Sequence, residues 1–152
     1  MMDFTLPIEN VAPLVPQSGE MVLIDRVIDF GEDFLTGEAE IRSNHILLNA
    51  GKLQTFAGIE IMAQGIAAWA GIQARKRNEP VRLGYLLGTR KLYITQPEIA
   101  VGSQLMIEIK MSIQDATGFG VFDCRLIDKA THQTLLSGAL NVFSPKDGKI
   151  QK

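Results

Sequence analysis

Phe56-Ala57-Gly58-Ile59-Glu60-Ile61-Met62-Ala63-Gln64-Gly65-Ile66-Ala67-Ala68-Trp69-Ala70-Gly71-Ile72 is the stretch that decides the fold. Of its 17 residues only Glu60 and Gln64 are polar. They stand four apart, so on a helix they lie on one face, one above the other. A helix that is apolar nearly all round is a buried helix. A carboxylate inside it must be paired, protonated or put to use, because an isolated buried charge is costly. The run falls short of the roughly 20 apolar residues of a membrane span and carries Glu60 in its first half, so it reads as a core helix. An idle, hydrogen-bonded carboxylate satisfies this pattern as well as a functional one does.

The flanks punctuate the helix. Thr55 is placed as an N-cap, its hydroxyl positioned to accept an early backbone N–H. Arg75, Lys76 and Arg77 put cations at the negative end of the dipole, and Asn78-Glu79-Pro80 stops the helix. Upstream, Pro7 before Ile8-Glu9-Asn10-Val11 suits a single helical turn, and Gln17-Ser18-Gly19-Glu20 reads as a turn. Met21 to Phe30 is β-branched and apolar, a strand. Gly31-Glu32-Asp33 turns into Phe34 to Ile41, its expected antiparallel partner with one wet face. Arg42 to Leu53 is a loop that contains His45. Downstream, four strand-like segments follow: Val81 to Ile94, Gln104 to Asp115, Gly118 to Asp128 and Thr134 to Phe143, divided by turn residues. The order β-β-α-β-β-β-β predicts an α+β fold, with an antiparallel six-stranded sheet curved around one long helix.

Composition narrows the function. The 152 residues suit one domain with a real core. A net charge of −2 argues against a nucleic-acid binder. Cys124 is the only cysteine, so no intrachain disulfide and no cysteine metal cluster is expected. The N-terminal Met-Met-Asp-Phe-Thr-Leu-Pro lacks the pattern of a secretory signal, which makes the cytoplasm the expected compartment. The tail Lys146 to Lys152 is polar and expected to fray. No metal-ligand cluster and no phosphate loop is present in the pattern, since no helix follows Gly84, Gly88 or Gly102 at suitable spacing.

Glu60 and His45 are the candidates for chemistry. Burial penalises a charged carboxylate, so Glu60 in an apolar helix is expected to hold its proton and serve as a general acid. A neutral histidine is a general base near pH 7. An acid and a base on opposite sides of a substrate suit elimination of water: the base removes a proton beside a carbonyl, and the acid protonates the departing hydroxyl. Backbone N–H groups near Thr55, Phe56, Ala57 and Gly58 are placed to polarise the carbonyl oxygen. A loop histidine without a catalytic role fits the residue types equally. His132 reads as exposed in a turn. Trp69, Met62 and Cys124 read as core.

Glu60-Ile61-Met62-Ala63-Gln64 resembles the Glu-Ala-Met-Ala-Gln helix motif of the hot-dog fold 3-hydroxyacyl-(acyl carrier protein) dehydratases. His45, Met21-Val22-Leu23-Ile24-Asp25-Arg26-Val27, Leu92-Tyr93-Ile94-Thr95-Gln96-Pro97 and Val101-Gly102-Ser103-Gln104-Leu105 are similar as well. The likeness runs from about residue 10 to residue 143. It implies one hot-dog domain over 1–152 and a dimer whose sheets join edge to edge. It further implies two sites at the interface, with histidine and acid from different chains and no cofactor. His45 is then the base, Glu60 the acid, and Gln64 a group near Glu60, with the acyl chain in a tunnel beside the helix. An acidic acyl carrier protein delivers the substrate, and Arg75, Lys76, Arg77, Arg82, Arg90 and Lys91 are the basic residues available to dock it. Two departures stand out: Ile46-Leu47-Leu48 follows the histidine, and Leu53-Gln54-Thr55-Phe56 leads into the helix. The altered loop is similar to the dehydratase-like proteins of aryl polyene clusters, some of which pair with a second hot-dog subunit. The expected function is dehydration of a carrier-bound 3-hydroxyacyl thioester. The alternatives are a non-catalytic partner subunit and an acyl thioesterase.

Overall fold

The structure is a computed structural model and describes residues 3–145. The tail Lys146 to Lys152 and the first two methionines lie outside the described residues. The first strands are β1 (Arg26–Phe30), β2 (Phe34–Glu40) and the two-residue β3 (Leu53–Gln54). A 3-10 turn, Thr55–Gly58, leads into helix α1 (Ile59–Lys76). Then come β4 (Tyr85–Ile94), β5 (Glu98–Ile99), β6 (Gln104–Gln114), β7 (Phe119–Asp128) and β8 (Thr134–Phe143). Six strands form one antiparallel sheet in the order β1-β2-β6-β7-β8-β4. The pair β3-β5 stands apart as a small second sheet.

The sheet curls around α1 because alternate residues of its middle strands are apolar and point one way. Ile107 and Ile109 of β6, Phe122, Cys124 and Leu126 of β7, and Leu136 and Leu140 of β8 are all buried with the helix residues Ile61, Met62, Ala68 and Ile72. The Trp69 ring meets Phe122 edge-on at 5.3 Å between centroids. Such a pair adds about 1 kcal/mol beyond its buried area. By length and composition the helical run Thr55–Lys76 is apolar enough to cross a membrane, yet 67% of the 18-residue stretch of it that meets this test is buried inside the fold.

Three local expectations are corrected. Met21 to Asp25 is not strand. Gly19–Met21 is a 3-10 turn, and Met21, Leu23 and Ile24 bond through the backbone to a side chain, with strand bonding resuming where Asp25 N donates to Glu38 O at 2.8 Å. Gln64 Oε1 accepts from Leu23 N at 2.5 Å and from Ile24 N at 3.3 Å, and Gln64 Nε2 donates to Met21 O at 2.7 Å. Pro7 does not start a helical turn: Ile8 pairs as an isolated bridge with Val27, and the turn sits at Ala12–Leu14 with Pro13 near its start. Thr55 does not cap the helix with its side chain. Its hydroxyl is buried without a partner among the described residues, and Gly58 is the N-cap of α1.

The helix C-terminus follows its sequence closely. Asn78 adopts φ 56°, Asn78 N donates to Arg75 O at 3.1 Å, and Glu79 N donates to Ala74 O at 2.9 Å. This is a Schellman closure, and asparagine is one of the few residues that accept its left-handed position.

Candidate functional site

Glu60 opens the first turn of α1, on the one face of the helix that the sheet leaves uncovered. Its neighbours along that face, Ala63, Ala67, Ala70 and Gln73, are only half-buried, and Glu60 itself is exposed in the single chain. The expectation of a buried carboxylate is therefore corrected. The sheet, the Ala12–Leu14 turn and the Met21–Ile24 segment cover the other faces, while the small alanine side chains leave a trough along this one. The trough widens into a cavity of about 540 Å³. Glu60, Gln64, Ile66 and Trp69 line it from the helix, Met21, Leu23 and Leu47 from the loops, and Tyr85, Leu86 and Phe122 from the sheet. Size and apolar lining are those of a pocket for a small organic group, with a few polar groups set into it.

Gln64 lies in this wall but is only 4% exposed, and both ends of its carboxamide are engaged by the Met21–Ile24 backbone. It fixes the wall of the cavity beside Glu60. The other residues expected at the helix start are not on this cavity. Phe56 is 62% exposed on the surface, Ala57 is half-buried, and Gly58 is packed against Leu126 and Leu136. Met62 is fully buried behind the wall, whereas Ile66 and Trp69 face it. Gln17 and Tyr85 line the cavity without having been singled out in the sequence, and Arg82, read there only as a docking cation, lines it too. They sit in a turn and at a strand edge, where no periodicity marks them. The stripe Ala63, Ala67, Ala70 was legible, since it repeats the three-and-four spacing that starts at Glu60.

His45 belongs to a neighbouring, smaller cavity of about 180 Å³, lined also by Glu20, Asp25, Glu40, Arg42 and Asn44. Leu23 lines both cavities, so the two adjoin. One chain therefore does not bring His45 and Glu60 into the same cavity. The histidine sits in a tight turn: His45 N donates to Arg42 O at 3.0 Å, and Leu47 N donates to the imidazole Nδ1 at 3.2 Å. Its Nε2 is buried and has no partner among the described residues. Burial pushes the His45 pKa below its ordinary 6.5; Asp25 opposes this and the Arg42 charge adds to it. The Arg42 charge is itself held by Asp25 at 3.0 Å, while Asp25 also accepts from Glu40 N at 2.8 Å.

His132 is exposed, as expected, and takes φ 63° in the β7-β8 turn. Cys124 is buried, and its thiol pKa is pushed up to about 12, first by burial and then by Asp123. It is an inert core residue. No metal-binding group of acidic, histidine or cysteine side chains occurs among the described residues. The cations of the helix end are already engaged: Arg75 donates to Pro13 O, Arg77 and Arg82 pair with Glu79, and Lys76 lies 5.0 Å over the Phe30 ring.

The family model described as ApeP-like, ApeP dehydratase, matches residues 9–152. The chain belongs to the ApeP-like dehydratase family. A solved dehydratase heterocomplex, ApeI:P from Xenorhabdus doucetiae, matches at 32% identity with a TM-score of 0.82, over 93% of this chain and 92% of that one. Escherichia coli PaaI, from a phenylacetic acid degradation operon, matches at 13% identity and TM-score 0.59, over 77% and 80% of the two chains. A hypothetical thioesterase from Streptococcus pneumoniae TIGR4, solved with coenzyme A, matches at 11% identity and TM-score 0.59, over 78% and 83%. At such identities the last two establish shared architecture alone. No curated protein sequence matches the chain. The ApeP-like chain thus has the hot-dog fold that its sequence resembles, one long helix in the grip of a six-stranded antiparallel sheet.

Proposed function

We propose that the chain is one subunit of a heteromeric dehydratase that converts a carrier-bound 3-hydroxyacyl thioester to the trans-2-enoyl thioester. The observation that carries this reading is Glu60 on the wall of an apolar cavity of about 540 Å³ that His45 of the same chain does not line. An acid without a base is half of an elimination site. The ApeI:P heterocomplex supports a second hot-dog subunit as the source of the other half.

In this reading the acyl chain lies in the trough along Ala63, Ala67 and Ala70, and its 3-hydroxyl reaches Glu60. A base from the facing subunit takes a proton from C2. The C–O bond at C3 breaks as the C2–C3 double bond forms, and Glu60 delivers its proton to the departing hydroxyl, releasing water. When the second subunit closes the trough, it shields the reacting atoms from bulk water.

The test is enoyl thioester formation from 3-hydroxyacyl-carrier substrates, with the chain alone and with an ApeI-type partner. The pair is expected to turn over. Glu60→Gln in the pair should lower turnover by roughly 10²- to 10⁴-fold, the usual worth of a general acid. An assembled pair that makes no enoyl product, or one indifferent to Glu60→Gln, would overturn the reading.

A further inference from the structure

His45 is expected from sequence to be a base, yet its hydrogen bonds describe a different task. Leu47 N donates to His45 Nδ1 at 3.2 Å. That N–H uses the lone pair on Nδ1. In a neutral imidazole one nitrogen carries the proton and the other accepts, so the proton is on Nε2. A base that works through Nε2 needs the opposite arrangement. Protonating Nδ1 as well would set two N–H groups against each other across the turn. Burial, against the opposing Asp25 charge and with the Arg42 charge, favours the neutral ring that the turn requires. A side-chain acceptor bonded to the backbone N–H two residues on is the geometry of an Asx-turn, with imidazole in place of a carboxamide. The residue held by this turn, Leu47, lines the Glu60 cavity, while His45 does not.

We infer that His45 is a positioning residue: its Nδ1 fixes the Leu47 turn and so places Leu47 against the acyl cavity of Glu60. The base that serves Glu60 then comes wholly from the second subunit, and the pair has one acid–base site built on this chain's acid. This rests on the dehydratase reading for its kinetic arm only.

Two measurements test it. The first is the tautomer of His45 in the full chain, read from two-bond 1H–15N correlations of labelled histidine. His132 is the only other histidine, and His132→Asn assigns the signals. A fixed Nε2–H tautomer with an unprotonated Nδ1 is expected. An Nδ1–H ring, or one averaged between tautomers, overturns the inference. The second is turnover of the assembled pair with His45→Asn and His45→Ala. Asparagine offers an oxygen where Nδ1 sits and accepts the same N–H, but it cannot take a proton. His45→Asn is therefore expected within about threefold of the parent, and His45→Ala to raise KM with kcat little changed. A loss of about a hundredfold or more in kcat for both variants is the signature of a base and overturns it. A parent pair that makes no enoyl product ends the dehydratase reading, while the tautomer still decides the assignment for His45.

Discussion

At the residue scale, Gln64 and His45 show how one polar side chain can replace a stretch of regular pairing. Gln64 serves three backbone groups of Met21 to Ile24, a segment that is strand-like in sequence. Gln64→Ala leaves those groups buried and unpaired at about 1–3 kcal/mol each before relaxation, so a net loss of about 2–4 kcal/mol is expected in urea unfolding. Loss below about 0.5 kcal/mol would mean the Met21–Ile24 backbone finds other partners. His45 makes a prediction about pH. Its folded pKa is below the ordinary 6.5, so under that value the unfolded chain binds more protons than the folded one. The stability due to its neutral ring is full above about pH 6.5 and is lost as pH falls from there toward the folded pKa. Unfolding free energies between about pH 7.5 and about pH 5.5 should therefore fall more steeply for the parent than for His45→Asn. Parallel slopes would contradict a neutral imidazole held by partial burial.

At the element scale, the packing of α1 against the N-terminal turn depends on a missing side chain. A Cβ at Gly71 would lie 1.8 Å from Leu14 O, a backbone atom that moves only with its whole turn. Helix propensity alone would make Gly71→Ala favourable by about 1 kcal/mol. The clash reverses the sign, and a net loss of about 1–3 kcal/mol is expected from thermal or urea unfolding, as for other overpacked cores. A stabilised Gly71→Ala would show that the Ala12–Leu14 turn is free to move. The elements themselves were legible where they are long. The apolar run at Phe56 to Ile72 marked the helix, and alternation marked β6. What sequence could not give were choices made at distance. Met21 to Ile24 has strand residues, but Gln64, about 40 positions away, takes three of its backbone groups. Strands β3 and β5 are two residues each, too short for any alternation. Glu60 was marked as special by being polar in an apolar run. Its exposure depended on which helix face the sheet leaves open, a property of six strands together. The bond from Leu47 N to His45 Nδ1 is likewise one that residue types do not announce.

At the scale of the whole molecule, the sheet has two ends that are not alike. The β1 end is partly closed by the chain itself, since Ile8 N donates to Val27 O at 2.9 Å and Val27 N to Ile8 O at 3.0 Å. The β4 end has a neighbour on one side only, β8, among the described residues. An open ten-residue edge is a template for another strand, and proteins usually blunt such edges with charge or prolines. Here the charges Arg90 and Lys91 stand at the middle of the strand, and the exposed apolar residues Leu86, Leu87, Tyr93 and Ile94 lie on either side of them. Tyr85 and Leu86 of this strand also line the Glu60 cavity. A second subunit that docks along β4 therefore reaches the site it is proposed to complete. This places the interface where a point charge can test it. Leu87 is 58% exposed, so Leu87→Lys should change folding stability by no more than about 0.5 kcal/mol. It should nevertheless weaken pairing with an ApeI-type subunit by about tenfold or more, or roughly 1.4 kcal/mol, in sedimentation velocity. Ile113→Lys is the matching control, because Ile113 is 56% exposed but lies on β6, three strands from that edge. If both variants pair as the parent does, or both weaken alike, the subunits meet elsewhere. If only Leu87→Lys separates them and enoyl formation falls with the fraction paired, then docking at β4 and completion of the Glu60 site are one event.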